Sequence, residues 1–251
     1  MAAPLAVQLY TVRDAIAQDG FAPVVKQIAA AGYVGVEMAG FSGTTPKEAA
    51  KLFADLGLRV CSGHFPMPVG EKQNEVLDQV ATIGARRLVG GFWENDFKTA
   101  DAIKETAAKF NEAAAVAGKH GLTIGVHNHW WEFLKVDGRY AYEILLDHLD
   151  PRVFLEVDVY WAKTAGADPA AELKKIGARA PLLHIKDGPC VQGQPMTAVG
   201  AGQVDFRAIA KVTAPTAAWW IVELDSCATD MLAAVRQSYK YLTTKGLAHG
   251  R

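Results

Sequence analysis

LTIGVHNHWWEF, residues 122–133, decides the reading of this chain. It begins as a short apolar run and ends in His127, Asn128, His129 and Glu132 among aromatics. An apolar strand that runs out into imidazoles and a carboxylate ends at a site rather than inside a core. Three later runs end in the same way. VFLEVDVYW (153–161) carries Glu156 and Asp158, PLLHIKDG (181–188) carries His184, Lys186 and Asp187, and WIVELDS (220–226) carries Glu223 and Asp225.

Outward from these four, short apolar runs alternate with longer helical patterns along the whole chain. The remaining strands read as LAVQL (5–9), GYVGVEM (32–38), LRVCSGH (58–64) and RRLVGG (86–91), and the eighth spans WWIVEL (219–224). Helical patterns fall at 21–31, 71–83, 99–120, 139–149 and 229–244. Another follows Thr45, where Glu48 three residues on makes a capping box. Asp168 and Pro169 open one more, and a short one follows Asp205. Alternating strand–helix units imply a parallel sheet. Eight of them in 251 residues without a composition break predict one α/β domain over residues 1–251, a closed (β/α)8 TIM barrel. A doubly wound open sheet would place a glycine-rich phosphate loop after its first strand. QLYTVRD (8–14) has no glycine there.

Composition narrows the partners. The formal net charge is -1, which argues against a nucleic-acid surface and against a DNA-cleaving enzyme with a basic track. Three cysteines at no ligand spacing fit a reduced, cytoplasmic protein without disulfides. No run approaches the ~20 apolar residues of a membrane span, and the first residues do not read as a signal peptide. The exposed helical ring of such a barrel allows pairing into a homo-oligomer.

In such barrels the C-terminal ends of the strands form the active-site face. Side chains alternate along a strand, so His127 and His129 share a direction, as do Glu156 and Asp158, and His184 and Lys186. Mixed nitrogen and oxygen donors suit Mn²⁺, Co²⁺, Fe²⁺ or Zn²⁺ better than Ca²⁺. A divalent ion beside carboxylates and a lysine suggests chemistry on a sugar or polyol, with a proton moved next to a carbonyl. Glu37, His64, Glu132 and Trp161 are expected to contact that small-molecule carbohydrate substrate. His120, His148 and His249 lie on helices or near the terminus and are expected to be solvated.

VQLYTVRD, GYVGVEMAGF, VHNHWWEF, LEVDVYWAKTAGADP, LLHIKDG and VELD, in this order and spacing, resemble the sugar phosphate isomerase/epimerase group of xylose isomerase-like TIM barrels. The resemblance covers nearly the whole chain and implies one divalent metal ion, most often Mn²⁺. The ligands it implies are Asp158, His184 and Glu223, with His127 at the strand-five position and His129 as the alternative there. In the sugar epimerase branch that position is a glutamate, so the usual pair of glutamate acid/bases is reduced here to Glu223. His129 and Lys186 join Glu223 as expected catalytic groups. The HxH form also looks like the inosose dehydratase branch and relatives acting on 3-keto sugars. The resemblance thus implies a metal-dependent isomerase or epimerase on a sugar or keto-sugar, with a lyase or dehydratase on a keto-inositol or 3-keto-glycoside as the alternative. A segment that commonly reads GEG in the group reads GAG here, with Ala201 in place of the acid.

Overall fold

Two apolar layers separated by one sheet set the architecture. Leu5 and Val7 join the large core between strands and helices, whereas Ala6 joins a smaller cluster with Val89, Phe154, Leu182 and Ile221. That is the period-two alternation of a strand buried on both faces. The computed structural model describes residues 2–251. Its barrel strands are β1 (Ala3–Gln8), β2 (Gly35–Ala39), β3 (Arg59–His64), β4 (Arg87–Gly90), β5 (Thr123–His127), β6 (Phe154–Asp158), β7 (Leu182–Ile185) and β8 (Trp219–Val222). All pair in parallel with their neighbours, and β8 closes on β1 through Leu5↔Trp220, Ala6↔Ile221 and Val7↔Val222. The (β/α)8 barrel expected from the alternating pattern is therefore the observed fold.

The barrel interior changes character along its axis. On β6 the inward residues run Phe154, Glu156, Asp158; on β7 Leu182, His184, Lys186; on β8 Trp219, Ile221, Glu223. Apolar side chains thus close one end, and acids and bases collect at the C-terminal end. Glycines make room for the large plugs. A Cβ on Gly125 would lie 2.1 Å from the Phe154 ring, and one on Gly35 2.5 Å from Trp219. Gly125→Ala is expected to cost roughly 1–3 kcal/mol by overpacking. An unchanged urea midpoint would show instead that the Phe154 ring has room to retreat.

Several boundaries differ from the sequence expectation. The first strand starts at Ala3 and ends at Gln8, because Leu9–Val12 turns into a 3-10 helix that Gln8 caps through Tyr10 N. Helices Arg13–Asp19 and Val159–Thr164 were not expected. The second starts directly from the strand because Asp158 caps it, accepting from the N–H groups of Tyr160 and Trp161. The helix expected at 139–149 begins at Ala141. Arg139–Tyr140 pairs instead with Lys135–Val136 across Asp137 and Gly138, both at positive φ. An Asp-Gly dipeptide is the usual two-residue hairpin turn. A further strand, Ala248–His249, pairs beside β1 at Ala3 and Pro4, leaving His249 exposed as expected. Among the described residues, no helix is long and apolar enough to cross a membrane.

Candidate active site

A cavity of about 660 Å³ opens at the C-terminal end of the barrel. His64, His127, His129, Trp161, Lys186 and Glu223 all border it. His64, His127, Lys186 and Glu223 reach it from the last position of a strand or the residue just beyond, whereas His129 follows β5 by two residues and Trp161 comes from helix Val159–Thr164.

Four of the expected metal ligands converge. His127, Asp158, His184 and Glu223 each offer one donor atom, and these atoms lie within 4.8 Å of one another. All four residues are buried. The contacts of their buried polar atoms are to charged groups: His184 Nδ1 meets Glu223 Oε2, Asp158 Oδ2 and Glu223 Oε2 meet Lys186 Nζ, and His127 Nδ1 stands 3.4 Å from Glu156 Oε2. Packing this many ionisable groups together out of water is costly, which marks a site rather than a core. Two imidazole nitrogens and two carboxylate oxygens at this spacing fit a divalent transition ion. The strand-five contribution is His127; His129 lies beyond the end of β5 and outside this donor set.

The surroundings support the same four groups. His184 Nε2 lies 2.6 Å from Glu37 Oε2, which leaves Nδ1 pointing toward Glu223, 2.5 Å away. A histidine whose far nitrogen is held by a carboxylate is a common metal-ligand arrangement. Gln8 Nε2 donates to the same Glu37 oxygen at 2.8 Å. Asp158 spends Oδ1 on the helix cap and keeps Oδ2. Asn128 replaces a rung of the β5–β6 ladder: its Oδ1 accepts from Asp158 N at 2.9 Å and its Nδ2 donates to Asp158 O at 3.3 Å. The side-chain amide thereby fixes the two strand ends beyond their last backbone pair, His127↔Glu156.

Charge is concentrated at the floor. Lys186 Nζ stands 3.0 Å from Asp158, 2.9 Å from Glu223 and 2.8 Å from Asp225. Burial works against its charge, but these three carboxylates outweigh burial and hold the ammonium's pKa well above the usual lysine range. Burial likewise opposes ionisation of Glu223, yet Lys186 and His184 outweigh it and keep the carboxyl well below its ordinary range. Burial, then the Lys186 charge, pulls His129 down to about 3, so its imidazole is neutral at ordinary pH. Burial and the adjacent Glu37 charge push Glu156 up to about 7. Its Oε2 lies 2.7 Å from His64 Nε2 and 3.1 Å from His184 Nε2.

Two residues read from the sequence as substrate contacts are placed elsewhere. Glu37 is fully buried beneath the cavity and acts on His184. Glu132 turns to the other side of the barrel wall, into a small void lined by Val126, Tyr142 and Leu155. The 3-10 turn Trp131–Phe133 rotates it there, and its Oε2 accepts from His129 N at 2.8 Å. Burial in that apolar setting pushes its pKa well above the carboxylate range. Gln8 and the mouth residues Tyr10, Phe92 and Trp93 border or support the site and were not singled out, and Glu156 was noted beside Asp158 without a role. For Glu156 a signal existed, since it shares a strand face with Asp158. Tyr10 and Trp93 lie at loop positions, where no periodicity marks them.

A closed parallel barrel with histidines and carboxylates gathered at its C-terminal strand ends defines a (β/α)8 barrel with a candidate metal centre. The chain belongs to the xylose isomerase-like TIM barrel family, whose model matches residues 25–244. A sugar phosphate isomerase/epimerase from Parabacteroides distasonis ATCC 8503 superposes with a TM-score of 0.84 at 25% identity, over 99% of this chain and 96% of that one. The probable 3-DHS dehydratase AsbF from Bacillus anthracis has a TM-score of 0.78 at 14% identity, over 96% and 98% of the two chains. The IolI protein with a bound zinc atom has a TM-score of 0.73 at 14% identity, over 98% of each chain. A sequence search of curated proteins finds no match.

Proposed function

We propose that the protein is a divalent-metal-dependent isomerase or epimerase that moves a proton next to the carbonyl of a sugar or keto-sugar. The observation that carries this reading is the convergence of four buried ligand-type side chains, with donor atoms within 4.8 Å of one another, beside two basic groups that border the cavity. His127, Asp158, His184 and Glu223 would hold the ion, with Mn²⁺ the first expectation and Co²⁺, Fe²⁺ or Zn²⁺ compatible with the same donors. When bound, the ion supplies Lewis-acid stabilisation of negative charge building on substrate oxygens.

The protein's own groups do the rest. Glu223 is ionised and His129 neutral, so both can accept a proton from carbon. Lys186 places a fixed positive charge beside Glu223 and can offset negative charge on a substrate oxygen. Trp161, whose ring centroid lies 5.5 Å from Lys186 Nζ, gives a sugar C–H face an apolar surface. A carboxylate and an imidazole then form the acid/base pair, in place of two glutamates.

A second reading is a lyase or dehydratase. Lys186, an ammonium within 2.9 Å of Glu223, is compatible with it, because its fixed charge can offset negative charge on a leaving oxygen beside the base. Product identity separates the two: an epimerase conserves the formula, whereas a lyase releases water or an alcohol.

The test begins with metal content by mass spectrometry on protein purified without added metal, for wild type and His184→Ala. Near one equivalent in the wild type and none in the variant is expected. Keto-sugars are then screened by NMR in D₂O for exchange, epimerisation or elimination. A wild type that neither carries nor takes up Mn²⁺, Co²⁺ or Zn²⁺ overturns the reading. Glu37→Gln, which removes the charge behind His184, is expected to weaken metal affinity by about 10–100-fold with the fold intact. Equal affinities in a metal titration would mean that Glu37 does not support the ligand.

A further inference from the structure

Resting on the carbohydrate reading above, we propose that the substrate is an unphosphorylated sugar-like ring bearing an apolar, ring-containing substituent, which lies against Trp93 and Tyr10 at the cavity mouth. Three observations lead there.

The first concerns where a phosphate would go. In (β/α)8 barrels a phosphate is frequently held by the loops after the seventh and eighth strands, through backbone N–H groups. Here the loop after β7 has already given those donors to the protein's own anion. Asp187, fully buried, accepts from Gly188 N at 2.9 Å and Val204 N at 3.1 Å on Oδ1, and from Gly200 N at 2.8 Å and Gly202 N at 3.0 Å on Oδ2. The nest fits so closely that a Cβ on Gly202 would stand 2.2 Å from Asp187 Oδ1.

The second concerns cations. Among the residues lining the cavity, Lys186 is the single lysine or arginine, and three carboxylates surround it. Arg13 lies nearby, but its guanidinium donates to the carbonyls of Tyr10 and Asp225 and covers the Tyr10 ring at 4.0 Å. A phosphate dianion would therefore meet Glu223 and Asp225 with no lysine or arginine free to clamp it.

The third concerns the mouth. Trp93 is 78% exposed and Tyr10 45%, and both border the same cavity as the acid/base floor. Their backbones are anchored. Trp93 N donates to Asp96 Oδ2 at 3.0 Å, the neighbouring Phe92 packs edge-on against Phe110, and Tyr10 N donates to Gln8 Oε1 at 3.1 Å. Exposed aromatics on fixed backbone make a preorganised stacking surface. The volume of about 660 Å³ falls within the range that takes drug-sized ligands, leaving room for a second ring beyond a sugar.

The experiment is calorimetric titration of Mn²⁺-loaded protein with phenyl β-D-glucopyranoside, methyl β-D-glucopyranoside, glucose and glucose 6-phosphate. The phenyl glycoside is expected to bind about tenfold more tightly than the methyl glycoside, the scale of one stacking contact. Trp93→Ala should erase most of that preference, and the phosphate should give no gain over glucose. Phenyl and methyl glycosides binding alike, or a preference that survives Trp93→Ala, overturns the aromatic subsite alone. Tighter binding of glucose 6-phosphate overturns the unphosphorylated assignment. Metal uptake with no glycoside binding overturns the carbohydrate reading itself, and this inference with it. A change in oligomeric state of Trp93→Ala, read by light scattering, assigns the indole to a contact between copies and likewise overturns the proposal.

Discussion

Mn²⁺ at a thousandfold excess over its dissociation constant is expected to stabilise the protein by about 4 kcal/mol, because it binds the folded chain and not the unfolded one. For a chain of this size that corresponds to a rise in thermal midpoint of roughly 8–16 °C. The physical source is the crowding of Glu37, Glu156, Asp158 and Glu223 in one buried region. Lys186 offsets part of that charge from one side, and His184 bridges the rest. A divalent ion adds two positive charges where four buried donor atoms already converge. His184→Ala should abolish the shift. Glu132→Gln should preserve it, because Glu132 faces the void behind β5 rather than the donor set. Differential scanning calorimetry with and without metal reads both variants. A shift retained in His184→Ala would move the binding site elsewhere.

How far the sequence revealed the molecule depends on the element. The barrel was legible because each strand is a short apolar run bounded by a helical pattern, and burial on both sheet faces leaves that pattern unbroken. The donor set was legible for the same reason: Asp158, His184 and Glu223 stand at strand ends, where alternation fixes their direction. Strand direction fails once the strand ends. His129 and Glu132 follow β5 in sequence, yet one borders the cavity and the other crosses to the helix side, because a 3-10 turn sets the second. Glu37 shows a different limit. It was read as a substrate contact at a strand end, but its depth below the cavity depends on the stagger of β2 against β7, which no local pattern carries. Helix Val159–Thr164 was hidden because Asp158 serves both as donor and as helix cap, so strand and helix meet without a loop. Tyr10 and Trp93 occupy loop positions, and only the closed barrel brings them to one mouth.

Glu223→Gln is expected to lower kcat by about 10³-fold on any keto-sugar that the wild type turns over, within the range contributed by a positioned general base. The substitution keeps the shape of the side chain and removes its charge and its basicity. Metal retention separates the two roles assigned to Glu223. His127, Asp158 and His184 remain as donors, and the glutamine carbonyl oxygen is itself a weak ligand, so metal content should stay near one equivalent in excess Mn²⁺. Lys186 keeps Asp158 and Asp225 as counter-charges at 3.0 and 2.8 Å, so the site should not collapse. A large loss of kcat with KM moved only a few-fold and metal retained would place Glu223 in proton transfer. A loss below tenfold with metal retained would make Glu223 a ligand only and pass the proton to His129, whose neutral imidazole borders the same cavity. His129→Asn should then carry the large loss instead. If both variants lose turnover but only one loses solvent-deuterium exchange, the two groups serve opposite faces of the substrate, as epimerisation requires. If both lose exchange and elimination together, one base and one acid act in sequence, and the lyase reading is preferred.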